Sequence, residues 1–427
     1  MIEKITPTQY TLQSLKTGKE YMDAGWTLDA PDEKEPSLVR AIYKEKQLKP
    51  KDLSYGLFRF ADWLPVNRFL NGSSAPVTYK SKGLADALGL SNLYITFSGY
   101  WPEKGAGMTT CSFKETEAYS VCGRLREGTK DVLVVASAGN TARAFARVCS
   151  DNGIPLVLCV PEDNLNALWF DQPIADHVKL YCTRSGSDYF DAIHLSNMIC
   201  TLPGFFAEGG AKNVARRDGM GTTVLSAVDF IRRIPDYYFQ AIGSGTGVIA
   251  AWEANLRLIA DGRFGTHKMR LMPSQNVPFL PMYNAWKNDS RDIPPVDDHE
   301  ARRQAEEICA KVLSNRKPPY SICGGLYDAL KDSDGDVLKA NNSEADAAAT
   351  LFETTEGIDI HPAAAIATAT LIKETQSGNL PKNATIMLNI TGGGEKRFKQ
   401  DKQIYELKPA HVFGITPGIE VVKDYVL

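Results

Sequence analysis

Short apolar, β-branched runs alternate with stretches of helical periodicity along most of the chain. That alternation restricts the fold to parallel strands joined by crossover helices. Strands are expected near residues 132–137, 155–160, 177–182, 205–208, 237–242, 268–272 and 385–390. Helices are expected near 112–127, 141–152, 187–200, 222–234, 247–262 and 362–375. At 427 residues there is room for two or three domains with real cores. Such α/β sheets bind ligands outside the carboxyl ends of their strands, so the loops that follow the expected strands carry the functional information.

Three of those loops are distinctive. Val132-Leu133-Val134-Val135-Ala136 runs into Ser137-Ala138-Gly139-Asn140-Thr141 and then a helical pattern. The free N–H groups of such a helix start can hold a carboxylate, although a tight turn with a capping Asn or Thr has the same sequence. Gly243-Ser244-Gly245-Thr246-Gly247 lies between an expected strand and a long helix. Glycines there let several backbone N–H groups converge on one anion. The spacing is neither Gly-x-Gly-x-x-Gly nor a Walker A loop, which disfavours a nucleotide. Asn389-Ile390-Thr391-Gly392-Gly393-Gly394 closes the strand around residues 385–388 and presents a neutral hydroxyl at Thr391.

Upstream, Lys114 opens a helix at the end of Thr109-Thr110-Cys111-Ser112-Phe113-Lys114. A lysine buried there loses its proton at modest cost and forms a Schiff base with an aldehyde. Each feature alone has an ordinary structural explanation: a surface lysine, a tight turn, a glycine-rich strand exit. Taken together and in this order, they suit pyridoxal 5′-phosphate (PLP).

The order and spacing resemble the tryptophan synthase β-like, fold type II PLP enzymes, and most closely their threonine synthase branch. The similarity runs from Phe58 to Gly394 and includes the stretches Gly210–Gly219 and Glu356–Ala364. The resemblance implies two α/β domains with the cofactor in the cleft between them. The smaller domain would comprise residues 120–215 and the larger 58–119 and 216–405, flanked by an N-terminal segment 1–57 and a C-terminal tail 406–427. It implies that Lys114 is the catalytic, cofactor-linking lysine. Asn140 would bond the cofactor's 3′-oxygen, Gly243, Ser244, Gly245, Thr246 and Gly247 its phosphate, and Thr391 its ring nitrogen. Ser137, Thr141 and Arg143 would bind substrate.

Departures from threonine synthase concern the substrate. Asp-Arg after the lysine is replaced by Glu115-Thr116, and a Gly-Glu-Gly-x-Thr-Pro-Leu segment by Asn71-Gly72-Ser73-Ser74-Ala75-Pro76-Val77. A glutamate before Pro-Ala becomes His361, and a small residue becomes Arg143. This pattern is similar to the cysteate synthase family, threonine-synthase relatives in methanogens that join O-phospho-L-serine and sulfite for coenzyme M. The altered segments would then reshape the pocket for two anions, with Arg143, Lys212, Arg216 and Arg217 as candidate cations. Threonine synthase acting on O-phospho-L-homoserine, a serine or threonine dehydratase, and a PLP-binding regulator without turnover are the competing readings.

Net charge of −3 gives no global pointer to nucleic acid or an anionic membrane. No apolar run approaches the length of a membrane helix, so a cytoplasmic protein is expected. The eight cysteines form no Cys-x-x-Cys pair and are expected to be reduced core residues. The N-terminal stretch around Leu12–Tyr21 lacks the cysteines of a zinc knob. A short hairpin without metal is expected there, and a surface loop over 286–299. Assembly as a homo-oligomer is also expected.

Overall fold

The computed structural model describes residues 6–31 and 33–427. Two parallel sheets dominate it. The larger has six strands in the order Leu338–Ala340, Arg270–Asn276, Tyr237–Ala241, Thr385–Ile390, Asn92–Phe97 and Val77–Lys80. Only the last of these runs antiparallel to its neighbour. The smaller sheet has five parallel strands in the order Phe205–Ala207, Val132–Ala136, Leu156–Pro161, Val178–Thr183 and His411–Phe413. Leu156–Pro161 and Thr385–Ile390 are buried at every position, as expected of strands covered by helices on both faces.

All seven expected strands and all six expected helices are present, with one large boundary difference. The helix expected from 222 begins at Val214, capped by the Asn213 side chain accepting from Ala215 N–H at 3.0 Å, and runs to Ile231. Gly219, within this helix, is a contact point, since a Cβ there would lie 2.4 Å from the carbonyl oxygen of Thr116 on the neighbouring helix Lys114–Arg124. Two edge strands, Val77–Lys80 and Leu338–Ala340, and the strand Asn92–Phe97 were not anticipated. Nor was the helix Asn342–Glu356, which carries a complete capping box from Asn341 and Glu344.

The N-terminal hairpin pairs Tyr10–Ser14 with Glu20–Tyr21, and Val39–Tyr43 joins it as a third strand. Residues 1–5 of the expected N-terminal segment lie outside the described residues. The stretch expected as a C-terminal tail supplies His411–Phe413, an edge strand of the smaller sheet. Residues 288–297 form the expected loop between helices Pro281–Lys287 and Asp298–Glu307. Among the described residues no helix is long and apolar enough to cross a membrane. All eight cysteines are free thiols, five of them buried.

Candidate active site

A cavity of about 480 Å³ opens at the carboxyl ends of both sheets. Lys114, Ser137, Asn140, Thr141, residues 243–247 and Thr391 all line it. The backbone fixes these loops to one another. Phe113 N–H donates to Thr391 O at 2.9 Å, Gly393 N–H donates to Cys111 O at 3.1 Å, and Ser112 pairs with Gly392 as an antiparallel bridge. A Cβ at Gly392 would lie 2.4 Å from His361 Nδ1 and 2.9 Å from Cys111 O, so only glycine permits this approach. The start of the lysine helix is thereby stapled to the Thr391 loop. Burial pushes the Cys111 thiol up, so it stays protonated and packs as a small core residue.

The loop before helix Thr246–Asp261 is shaped by close contacts. A Cβ at Gly243 would meet Val312 O at 2.8 Å, one at Gly247 would meet Gln240 Nε2 at 2.6 Å, and Gly245 has φ +80°. The Ser244 hydroxyl accepts from Thr246 N–H at 3.3 Å and lies 2.9 Å from the Thr246 hydroxyl. In the first turn of this 16-residue helix, Val248 and Ile249 N–H both donate to Gly245 O at 3.0 Å, while Gly247 N–H has no acceptor among the described residues, so the loop presents backbone donors suited to an anion.

At the other helix start, the capping role belongs to Ser137. Its Oγ accepts from Gly139 N–H at 2.9 Å and Ala142 N–H at 3.0 Å, while the helix itself begins at Asn140 without a side-chain cap. Asn140 Oδ1 accepts from Arg143 at 3.1 Å, which orients the Asn140 amide so that its Nδ2 is left without a protein acceptor among the described residues. Thr391 is 7% exposed, and its hydroxyl has no protein partner among the described residues. A lysine, a free amide donor, a free neutral hydroxyl and a glycine-lined anion cradle around one cavity are a donor set that fits PLP.

Arg143, expected to bind substrate, does not line the cavity among the described residues, and its guanidinium is engaged elsewhere. Nε and Nη2 donate to Thr110 O at 3.1 and 2.9 Å, Nη1 donates to Ala167 O at 2.6 Å, and the group lies 4.0 Å from the Trp169 ring centroid. Of the other candidate cations, Lys212 and Arg216 line the cavity, but Arg217 does not. Arg217 is fully buried against Glu253 at 2.9 Å.

The altered segments also divide. His361 lines the cavity, and its Nε2 lies 3.0 Å from Glu395 Oε2. Residues 71–77, Glu115 and Thr116 do not line it, so they do not reshape the pocket by contact. The Thr116 hydroxyl donates to Phe113 O at 2.7 Å. Glu115 Oε2 accepts from Thr110 N–H at 2.9 Å and Thr110 O–H at 2.8 Å.

Burial pushes the Glu115 carboxyl up to about 7, against the pull of the Thr110 donors. The native protein therefore holds this proton at pH values where the unfolded chain has lost it. Stability from this group is lost as pH rises from about 4.5 towards 7. Glu115→Gln is expected to flatten that slope and to be more stable than the parent at pH 8 by about 1–3 kcal/mol. Denaturant unfolding at pH 5 and pH 8 checks both the sign and the size.

Sequence reasoning missed the cations Arg316 and Lys317, which enter the cavity wall from the loop after Leu313, and the carboxylates Glu117 and Glu208 beneath it. Glu117, three residues after Lys114 on the same helix, was recoverable from helical spacing.

Residues 101–392 match the family model described as pyridoxal-phosphate dependent enzyme. The chain is 50% identical over 402 residues to the cysteate synthase of Methanosarcina acetivorans, covering 94% of this chain and 96% of that one. It is 51% identical over 374 residues to the cysteate synthase of Methanocella paludicola, covering 87% of each. Among solved structures, maize serine racemase superposes with a TM-score of 0.58 at 14% identity, over 76% of this chain and 91% of that one. A variant of O-ureido-L-serine synthase with O-ureido-L-serine bound gives 0.55 at 14% identity, over 76% and 89%. At such identities the two structures show the fold alone.

Proposed function

Because the chain belongs to the pyridoxal-phosphate dependent enzymes and, among them, to the cysteate synthases, we propose that it converts O-phospho-L-serine and sulfite to L-cysteate and phosphate. One observation carries the choice of substrates. Among the described residues the cavity is lined by five cationic side chains, Lys114, Lys212, Arg216, Arg316 and Lys317, and by no aspartate or glutamate. A site that must release one phosphate and admit one sulfite needs that imbalance, because an anion brought into a cleft of low dielectric requires opposite charge or N–H donors to meet it.

Lys114 would carry the cofactor covalently. The amides of 243–247 would hold its phosphate, Asn140 Nδ2 its 3′-oxygen and the Thr391 hydroxyl its ring nitrogen. When bound, PLP supplies an electron sink for the charge left on the substrate's α-carbon. Lys114 Nζ removes the α-proton and later returns it. The Thr391 hydroxyl contributes a neutral hydrogen bond, whereas a carboxylate in its place would favour a protonated ring. Ser137 and Thr141, beside the N-terminal amides of helix Asn140–Asp151, receive the substrate carboxylate.

The cations differ in how much charge they offer to substrate. Lys212 lies 2.6 Å from Asp29, Arg316 lies 2.7 Å from Asp188, and Arg216 sits between two glutamates. Lys317 has no carboxylate partner among the described residues, and its ammonium rests 4.7 Å from the Phe190 ring centroid. It is the charge most available to the phosphate and sulfite at the mouth.

Purified enzyme incubated with phosphoserine is expected to release phosphate, and to form cysteate only when sulfite is added. Threonine from phosphohomoserine, with no cysteate from phosphoserine plus sulfite, overturns the proposal.

A further inference from the structure

Lys114 does not stand alone behind the cavity. Its Nζ lies 3.0 Å from Oε2 of Glu117, one turn along the same helix. The other oxygen of that carboxylate accepts from Arg216 Nη2 at 2.8 Å, across on helix Val214–Ile231. Arg216 Nε in turn lies 3.1 Å from Glu208 Oε1, and Glu208 Oε2 accepts from Gly210 N–H at 2.9 Å. A row of alternating charges thus runs behind the cavity wall, from Lys114 through Glu117 to Arg216, which also lines the cavity, and on to Glu208.

The Glu117 side chain is 0% exposed and that of Lys114 is 21% exposed. A carboxylate wholly removed from water is costly unless opposite charges surround it, and Glu117 has two. None of the cofactor contacts described above uses Glu117, and it does not line the cavity. Its two oxygens face two cations, one of which is the reactive amine.

We propose that Glu117 is a positioning counter-ion for Lys114, holding Nζ at the cavity wall and stabilising the ammonium whenever the amine carries a proton. The proposal rests on Lys114 being the cofactor-linking lysine. The proton balance is simple. The free amine takes the α-proton of the substrate, the C–H electron pair stays on carbon, an N–H bond forms, and Glu117 takes no part in the transfer. When the ammonium gives that proton back, the pair returns to its starting charges.

The surroundings keep either state within reach. Burial favours the neutral amine and Arg216 repels the ammonium, while Glu117 and, more weakly, Glu208 favour it. Tyr189, on helix Tyr189–Ile199, faces the same cluster and lines the cavity, and burial keeps its phenol protonated. Burial prevails and holds the pKa of the Lys114 ammonium below its ordinary range, with Glu117 the largest influence favouring the charged form.

The test measures the free amine directly. Full-length protein stripped of cofactor recombines with PLP only through uncharged Nζ, so the pH midpoint of the recombination rate reports the protonation of Lys114. Glu117→Gln is expected to lower that midpoint by about one pH unit. A purely structural role would reduce stability and leave the midpoint in place, so a folded Glu117→Gln protein with an unmoved midpoint overturns the proposal. Should that variant not fold, Arg216→Gln decides. Removing the repelling cation leaves the whole Glu117 charge to Lys114 and is expected to raise the midpoint, whereas an unmoved or lowered midpoint overturns the proposal. No substrate takes part in recombination, so failure of the phosphoserine and sulfite chemistry would leave this result readable.

Discussion

Lys114→Ala is expected to bind PLP reversibly, to form no bond that borohydride can trap, and to lose turnover by about 10³-fold or more. Among the described residues three lysines line the cavity, and geometry separates them. Lys212 is 40% exposed and paired with Asp29, while Lys317 lies at the mouth against Phe190. Lys114 is the one whose helix start is fixed by backbone bonds to the loop that carries Thr391. A Schiff base needs an amine held where the aldehyde is delivered, and that stapling supplies the constancy of position. Borohydride reduction of the parent enzyme followed by peptide mapping should place the pyridoxyl group on Lys114. Finding it on Lys212 or Lys317 would displace Lys114 from the centre of the site.

The second large effect is on stability. Arg143→Ala is expected to cost about 3–5 kcal/mol, read as a shift in denaturant unfolding, because two buried carbonyls lose their donors and the Trp169 ring loses its partner. Thr110 O and Ala167 O come from segments on either side of Arg143, and no other side-chain donor to them is present among the described residues. In whatever fraction remains folded, the sulfite concentration giving half-maximal rate should stay close to that of the parent. A selective loss of sulfite saturation with unchanged stability would restore Arg143 as a substrate ligand.

Much of the site was legible because its parts are local. A glycine-rich turn, a helix-opening lysine and a threonine at a strand exit each follow from residue types within a few positions of one another. Arg143 shows where that stops. Its helix position suggested either a solvated charge or an anion ligand, and neither reading anticipates the contacts with Thr110, Ala167 and Trp169, which converge on it only in three dimensions.

The same holds for Arg316 and Lys317, which reach the cavity from a loop far along the chain from Lys114. The missed strand Asn92–Phe97 had readable β-branched and aromatic content. The capping box at Asn341 and Glu344, followed by Gly357, marked both ends of a helix that went unread. Glu208 had no sequence signal, since nothing at the end of a three-residue strand marks a buried carboxylate.

The last strand of the smaller sheet has a bearing on how the molecule is made. Val178–Thr183 emerges from the ribosome long before His411–Phe413, the strand that pairs with it in parallel register at Tyr181–Thr183. Throughout synthesis of the four later strands of the large sheet, the backbone groups on that side of Val178–Thr183 remain an open edge, able to template pairing with another chain. The closing strand is held by the Tyr181 hydroxyl donating to Tyr425 O at 2.8 Å and by His411 stacked on Tyr425. Yield during translation should therefore depend on these few late residues far more than their share of the core implies.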